Sequence, residues 1–147
     1  KRISRDDVTR VVSNTRGVTV FELADAVGHR KLSNAQHILK RMLEQGENGV
    51  GIVAMLTRHF TILRKAKWLT GQQMSKNEIA TQLKVPPFFL GNYLEQAKKF
   101  DDQALWQSFD ALLKADNRLK SSSRTNHLTL SELIYGLCRG SALDNVK

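Results

Sequence analysis

The feature that most constrains the fold is an amphipathic stretch near the middle of the sequence, residues 102–120. Its large apolar residues are Leu105, Phe109, Leu112, Leu113 and Leu119, and with the alanines between them they follow the three-and-four spacing of a helix. This spacing predicts a helix with one wide buried face, and such a face needs other elements packed against it. We expect Asp102 to cap the first turn, and Asp116 to pair with Lys120 four residues later, near the helix end.

Sequence signals divide the rest of the chain into further helices, whereas β-strand patterns are weak. Capping boxes, with Ser or Thr three residues before Glu, are expected at Thr19–Glu22, Ser75–Glu78 and Thr129–Glu132. The expected helices besides 102–120 are 5–13, 20–27, 32–45, 50–70, 76–83, 87–99 and 128–138. Phe21 and Trp68 are expected to face inward, and Gly46 to end its helix in a left-handed conformation. The prediction is an all-α helical bundle of about seven to eight helices.

Charge is the unusual bulk property of the chain. The 147 residues include 23 Lys and Arg against 14 Asp and Glu, which gives a net charge of +9. A basic balance favours an acidic partner, with nucleic acid as the first candidate. Because the excess is spread along the chain, a solvated basic surface without a specific ligand is an equally open interpretation.

The sequence also bounds the class of protein. Its length favours one domain, with a short piece of another ending at the polar break at residues 14–17. No apolar run approaches the roughly 18 residues of a membrane span, and no signal peptide is recognisable. The chain begins with Lys1 rather than Met, so we expect a fragment of a longer, cytoplasmic protein. Cys138 has no partner for an internal disulfide and is expected to be a small core residue.

No motif for catalysis, cofactor binding or metal binding is present in the sequence. Phosphate-binding loops and zinc-protease motifs are missing, and the single cysteine has no paired histidine arrangement. The histidines are too far apart in sequence to form an i,i+4 metal-binding pair: His29, His37, His59 and His127. We therefore expect no enzyme, no cofactor and no metal, and we expect the histidines to be surface or core residues.

Residues 75–96 have the rhythm of a DNA-binding helix-turn-helix. Two features oppose this interpretation: Lys84 occupies the turn position usually held by glycine, and the second helix opens with Phe88 and Phe89 after two prolines. Base-reading polar groups are expected there, and apolar residues indicate a protein contact instead. DNA reading by this segment is kept as the alternative function.

Two tryptophans and two arginines are candidates for a binding surface: Trp68, Trp106, Arg118 and Arg124. Core packing is the competing interpretation for both tryptophans. Trp106 lies at the edge of the apolar stripe of residues 102–120, so a position between the core and a partner suits it.

Several motifs, taken in order, carry a family resemblance. They are Ile3 and Val8, FELADAV at 21–27, the apolar run at 35–46, YLEQAKKF at 93–100, the set Leu112, Ala115, Asp116, Leu119 and Lys120, and the closing segment 129–133. Over nearly the whole chain, their order and spacing resemble the C-terminal part of the delta subunit of the bacterial DNA polymerase III clamp loader. The chain departs from the family pattern at residues 29–34 and in the loop at 121–127.

The resemblance implies that residues 1–16 end a small helical domain and that residues 17–147 form an all-helical collar. In this family the collar joins five subunits into a ring, so the implied partners are gamma/tau and delta prime. The sliding clamp and DNA would be reached through the whole assembly, with no membrane and no small-molecule substrate. The family is grouped with DNA-directed DNA polymerase, a nucleotidyltransferase. This part of the protein would supply subunit contacts and no catalysis. The resemblance implies a location in the cytoplasm, at the nucleoid-associated replisome. Interface candidates are Trp106, Asp116, Arg118, Lys120 and Arg124.

Overall fold

A computed structural model describes residues 20–121 and 126–146, with side chains described as far as residue 139. This part of the chain is helical and contains seven helices, which confirms the all-α prediction. They are α1 (residues 20–28), α2 (Leu32–Glu44), α3 (Gly49–Thr70), α4 (Lys76–Leu83), α5 (Pro87–Ala97), α6 (Asp102–Ser121) and α7 (Asn126–Val146). The helix predicted at 5–13 lies outside the described residues.

Helices α3 and α6 hold the bundle together. Helix α6 packs against α3 and α7, α2 packs against α7, and α4 and α5 cover the C-terminal half of α3. A large apolar core joins α1, α2, α3, α6 and α7, and a smaller one lies between α3, α4 and α5. At the centre, the Phe60 ring meets Phe100 edge-on at 5.1 Å between centroids and Phe109 at 6.5 Å. Such T-shaped aromatic pairs add to the stabilisation from burial.

The starts of α3, α4 and α6 are fixed by side chains that satisfy otherwise unpaired amides. The predicted capping box of α4 is confirmed, because the Glu78 amide donates to Ser75 Oγ at 3.1 Å and the Ser75 amide donates to Glu78 Oε1 at 2.9 Å. The proposed box at Thr19 includes a residue outside the described part. Asn48 is a cap that was not predicted: its Oδ1 accepts from two amides in the first turn of α3 at 2.7 and 3.2 Å.

Two predicted helix starts are wrong. Asp101, not Asp102, caps α6, because its Oδ1 accepts a hydrogen bond from the Ala104 amide at 2.8 Å. The box at Thr129–Glu132 does not begin α7, which starts at Asn126 and carries Thr129 buried inside it. A buried Thr three residues before Glu satisfies the sequence pattern without being at a helix end.

Three helices end on a residue in the left-handed conformation. Gly46 has a φ of +84°, as predicted, and Arg30 and Lys84 each have a φ of +60°. In each case the next amide donates to the carbonyl five residues earlier, at 2.8–3.1 Å, which is the Schellman termination. Lys84 therefore makes the turn that usually uses glycine, and Arg30 makes the turn within the unusual segment 29–34.

Some large apolar residues face solvent, against expectation. Phe21 is 69% exposed and Trp68 is 64% exposed, so both predictions of inward packing are wrong. Leu113 is 60% exposed because its neighbour Leu112 occupies the buried position on α6. Cys138 is buried as expected, and burial raises the pKa of its thiol to about 11.

Helix α1 meets a side chain of α5 at a glycine. A Cβ added to Gly28 would overlap the side-chain amide of Gln96, which is fully buried. The small residue therefore lets two helices meet around a buried polar group. Gly91, by contrast, is on the exposed side of α5, and a Cβ there would meet nothing within 4 Å.

We predict opposite effects for alanine at these two glycines. Gly28→Ala should lower the free energy of unfolding by about 1–3 kcal/mol, since overpacking forces Gln96 to move. Gly91→Ala should raise it by about 0.5–1 kcal/mol, because alanine favours an exposed helix. Urea unfolding followed by circular dichroism measures both. Equal midpoint shifts in the two variants would contradict the packing argument.

Candidate interaction surface

An exposed stripe runs along α6. Alternating spacings of three and four residues place Trp106, Phe109, Leu113, Asp116 and Lys120 on one side of this helix. Trp106 is 68% exposed and Leu113 is 60% exposed. Lys120 Nζ lies 2.9 Å from Asp116 Oδ2, which confirms the predicted ion pair. This α6 stripe is therefore apolar at its N-terminal end and charged at its C-terminal end.

A groove lies beside the apolar end of the stripe, and α3 contributes Arg64 to its lining. The groove has a volume of about 490 Å³ and is lined by Arg64, Leu105, Trp106, Phe109 and Leu113, with Asp102 and Asp110 at its edges. The guanidinium carbon of Arg64 lies 5.8 Å from the centroid of the Phe109 ring. An exposed tryptophan and an arginine beside an apolar groove are typical of protein–protein contact sites.

The structure brings together three of the five candidate residues from the sequence. Trp106, Asp116 and Lys120 share the α6 stripe. Arg118 lies on another side of α6, with Nη1 3.5 Å from Glu132 Oε1 of α7. Arg124 lies outside the described residues.

Sequence reasoning missed Leu113 as a surface residue. It assigned both Leu112 and Leu113 to the core, although adjacent residues on a helix point about 100° apart. Because of that angle, only one of the two leucines can point into the core, and the other must be more exposed.

A second groove, between α1 and α5, has a volume of about 360 Å³. Phe21 and Phe89 stand on its rim, and Phe88 meets Phe89 edge-on at 5.3 Å between centroids. Phe88 is 88% exposed at the start of the second helix of the 75–96 segment. Since a base-reading helix needs polar groups there, this arrangement does not favour the helix-turn-helix alternative.

A chain of polar side chains, several of which line this groove, joins α1, α3 and α5. The Gln96 Nε2 amide donates to Asp25 Oδ1 at 2.8 Å, and the Asn92 amide donates to the same oxygen at 2.6 Å. Gln96 Oε1 lies 2.6 Å from His59 Nε2, and Asn92 Oδ1 lies 2.8 Å from His29 Nε2. Because Gln96 uses its nitrogen on Asp25, its oxygen accepts, and His59 Nε2 must carry a proton.

Burial shifts the pKa of two side chains at this groove, His59 and Tyr93. Desolvation lowers the pKa of His59, although the hydrogen bond to Gln96 and the charge of Asp25 oppose the shift. Burial also raises the pKa of Tyr93, whose ring lies 5.6 Å from the His59 ring. His59 is thus a neutral core residue in the folded protein near neutral pH.

Within the described residues, no three His, Cys, Asp or Glu side chains come together in a way that would hold a metal ion. In the same part of the chain, every helix is too short or too polar to cross a lipid bilayer.

Comparisons with known proteins agree on one family. The family model for the DNA polymerase III delta subunit, C-terminal domain, matches residues 18–137. The curated DNA polymerase III subunit delta of Bacillus subtilis (strain 168) is 26% identical over 139 residues, which are 95% of this chain and 40% of that protein. The solved structure of the Bacillus subtilis DNA clamp loader delta protein superposes with a TM-score of 0.73 at 26% identity, over 93% of this chain and 40% of that one. These findings confirm the resemblance drawn from the sequence motifs.

The neutral buried His59 predicts a pH dependence of stability. Its folded-state pKa is below the ordinary value of 6.5, so the unfolded chain binds the proton first as the pH falls. The stabilisation from the buried neutral imidazole should be fully present at pH values above the ordinary pKa of histidine. It should be lost as the pH decreases toward the folded-state pKa of His59. We expect His59→Gln to reduce the fall in unfolding free energy between about pH 7.5 and about pH 5, measured by urea unfolding.

His37→Gln is the control for this prediction, because His37 is exposed on α2. It should keep the pH dependence of the unchanged protein. If His59→Gln and the unchanged protein lose stability in parallel, the buried neutral imidazole is not the cause.

Proposed function

Because the chain belongs to the family of the DNA polymerase III delta subunit, C-terminal domain, we propose that it is the helical collar of a delta subunit in a bacterial clamp loader. The collar holds neighbouring subunits at set angles, so that nucleotide binding elsewhere in the assembly can be used to hold a sliding clamp open. The chain spans 40% of the length of the relative and of the solved structure that it matches. The loading reaction as a whole therefore belongs to a larger protein and its assembly.

We assign residues 17–147 to the collar and residues 1–16 to the end of a preceding small helical domain. The start of the matched range, at residue 18, supports this boundary. The proposed partners are gamma/tau and delta prime, which contact the collar directly. The sliding clamp and DNA are reached through the assembled loader, in the cytoplasm at the replisome.

The α6 stripe is the observation that carries the subunit-contact proposal. Trp106 supplies a large, rigid side chain that can enter a pocket on a partner, and Leu113 extends the same apolar surface by two turns. Asp116 and Lys120 continue the stripe as a polar rim. Arg118, on another side of α6, would add a charge to the contact, and Arg124 is proposed as a further contact residue.

The proposed role is non-catalytic. The buried side chains of His59 and Gln96 serve packing, since they hydrogen-bond to each other and Gln96 also donates to Asp25. The Cys138 thiol, with its raised pKa, is a poor nucleophile near neutral pH. The nucleotidyltransferase grouping of the family then refers to the polymerase holoenzyme, to which this part contributes subunit contacts.

We predict that truncating the apolar end of the α6 stripe weakens assembly. Trp106→Ala should reduce affinity for the other clamp-loader subunits by about 2 kcal/mol, or roughly thirtyfold, as for a central aromatic anchor. Leu113→Ala should have a smaller effect in the same direction. Co-elution on gel filtration, followed by titration calorimetry, measures both changes with the full-length delta subunit.

Leu128→Ala is the matched control, because Leu128 is a similarly exposed leucine, 56% exposed, at the start of α7. It should leave assembly unchanged. Unaltered assembly of the Trp106→Ala variant, with an unchanged circular dichroism spectrum, would rule out the α6 stripe as the contact surface. Failure of the unchanged delta subunit to join the loader would refute the proposed function itself.

A further inference from the structure

Two open grooves adjoin each other at the C-terminal end of α3. The first, of about 760 Å³, is lined mainly by residues of α3 and the turn after it, including Arg64, Lys65, Lys67 and Trp68. The second, of about 570 Å³, lies between that turn, α4 and α5, and includes Lys76, Gly91 and Lys98. Lys67 and Gly71 line both grooves, so the two form one continuous path, called the basic track below.

Positive charge is concentrated along the basic track. Five cationic side chains line it, against the two carboxylates of Asp102 and Glu95: Arg64, Lys65, Lys67, Lys76 and Lys98. Within the described part of the chain, none of these five is within ion-pair distance of a carboxylate. Their charge is therefore available to an anionic ligand, and a path of several cations suits a polyanion better than a single anion.

Trp68 stands beside these cations with 64% of its surface exposed. An indole ring on the surface is not stabilised by burial in the core, and other rings can stack on its flat face. The combination of a cationic groove and an exposed aromatic side chain is how proteins hold single-stranded nucleic acid. The cations meet the phosphates, and the aromatic ring stacks with an unpaired base.

Two glycines, Gly71 and Gly91, line the track. Gly91 lies in the middle of α5, where glycine is less stable than alanine, and a Cβ there would meet nothing within 4 Å. Gly71 also lines both grooves without a positive φ that would require glycine. Two side-chain-free positions therefore leave space for a backbone to approach the helices closely.

We propose that the basic track binds single-stranded DNA, with phosphates along the five cations and one base stacked on Trp68. A duplex would bury its base faces and leave Trp68 without a stacking partner. The mode also differs from a helix in the major groove, because the start of α5 places Phe89 on a different groove and leaves Phe88 exposed beside it. This ligand is additional to the subunit contacts proposed for the α6 stripe.

The stacking part of the proposal is tested with a fluorescein-labelled oligothymidylate of about 16 nucleotides. Anisotropy gives the affinity, and tryptophan quenching in a Trp106→Phe background reports on Trp68 alone. Trp68→Ala should weaken binding by about fivefold or more, whereas Trp68→Phe should retain most of the affinity. Unchanged affinity in Trp68→Ala, or tighter binding of a duplex of equal length, would overturn the proposal.

The charge part is tested with two triple variants of equal net charge. Lys67→Gln, Lys76→Gln and Lys98→Gln together remove three cations from the track. Lys31→Gln, Lys40→Gln and Arg41→Gln remove three exposed cations at or near α2, a helix that packs against α7.

In the track variant, the slope of log affinity against log salt should be less steep by about 2, as expected for three lost phosphate contacts on a single strand. The α2 variant should leave the slope nearly unchanged. Equal losses in the two variants would mean that binding follows net charge, and the assignment of the track would fail. Thermal unfolding by circular dichroism verifies that all variants keep the fold.

Discussion

The side-chain amide of Gln96 is the contact on which the packing of α1, α3 and α5 depends. It is fully buried, accepts from His59 at 2.6 Å and donates to Asp25 at 2.8 Å. Leaving such an amide unsatisfied in a core costs about 1–3 kcal/mol, so only one rotation of α5 is acceptable. Gly28 provides the space for it. That rotation turns Phe89 toward the α1 groove and Gly91 toward the basic track, so one buried residue sets what both surfaces of α5 present.

Arg30 connects this network to the rest of the bundle. From its left-handed turn, its guanidinium lies 4.1 Å over the Phe100 ring, donates to the Lys99 carbonyl at 3.0 Å and to the Cys138 carbonyl at 3.2 Å. One side chain thus joins the α1–α2 turn, the segment before α6 and helix α7. Because Phe100 packs against Phe60 and directly precedes α6, the position of the α6 stripe follows from these contacts.

Residue patterns predicted the elements well and the surfaces less well. The bounds of α4 and α6 and the left-handed Gly46 were predictable, because periodicity, capping boxes and glycine terminators act locally. Arg30 and Lys84 were not, since a left-handed non-glycine residue is held by bonds that the sequence does not signal. Likewise, Trp68 and Leu113 face outward because other residues already fill the core at those levels. Several helices fill one core volume with their side chains, and this packing decides which apolar residue stays outside. The periodicity along a single helix cannot predict that outcome.

The two proposed surfaces are neighbours. Arg64, Leu105 and Asp102 line both the groove beside the α6 stripe and the first groove of the basic track. A subunit bound on the stripe would exclude water from this shared edge, and the lower local dielectric would strengthen the attraction between Arg64 and a phosphate. The repulsion between Asp102 and the phosphate would then be stronger as well. The net gain in affinity for the strand therefore depends on the cations farther along the track, at Lys67, Lys76 and Lys98. In a rigid helical collar, subunit contact and strand contact would be linked through electrostatics at one edge, without requiring a change of conformation.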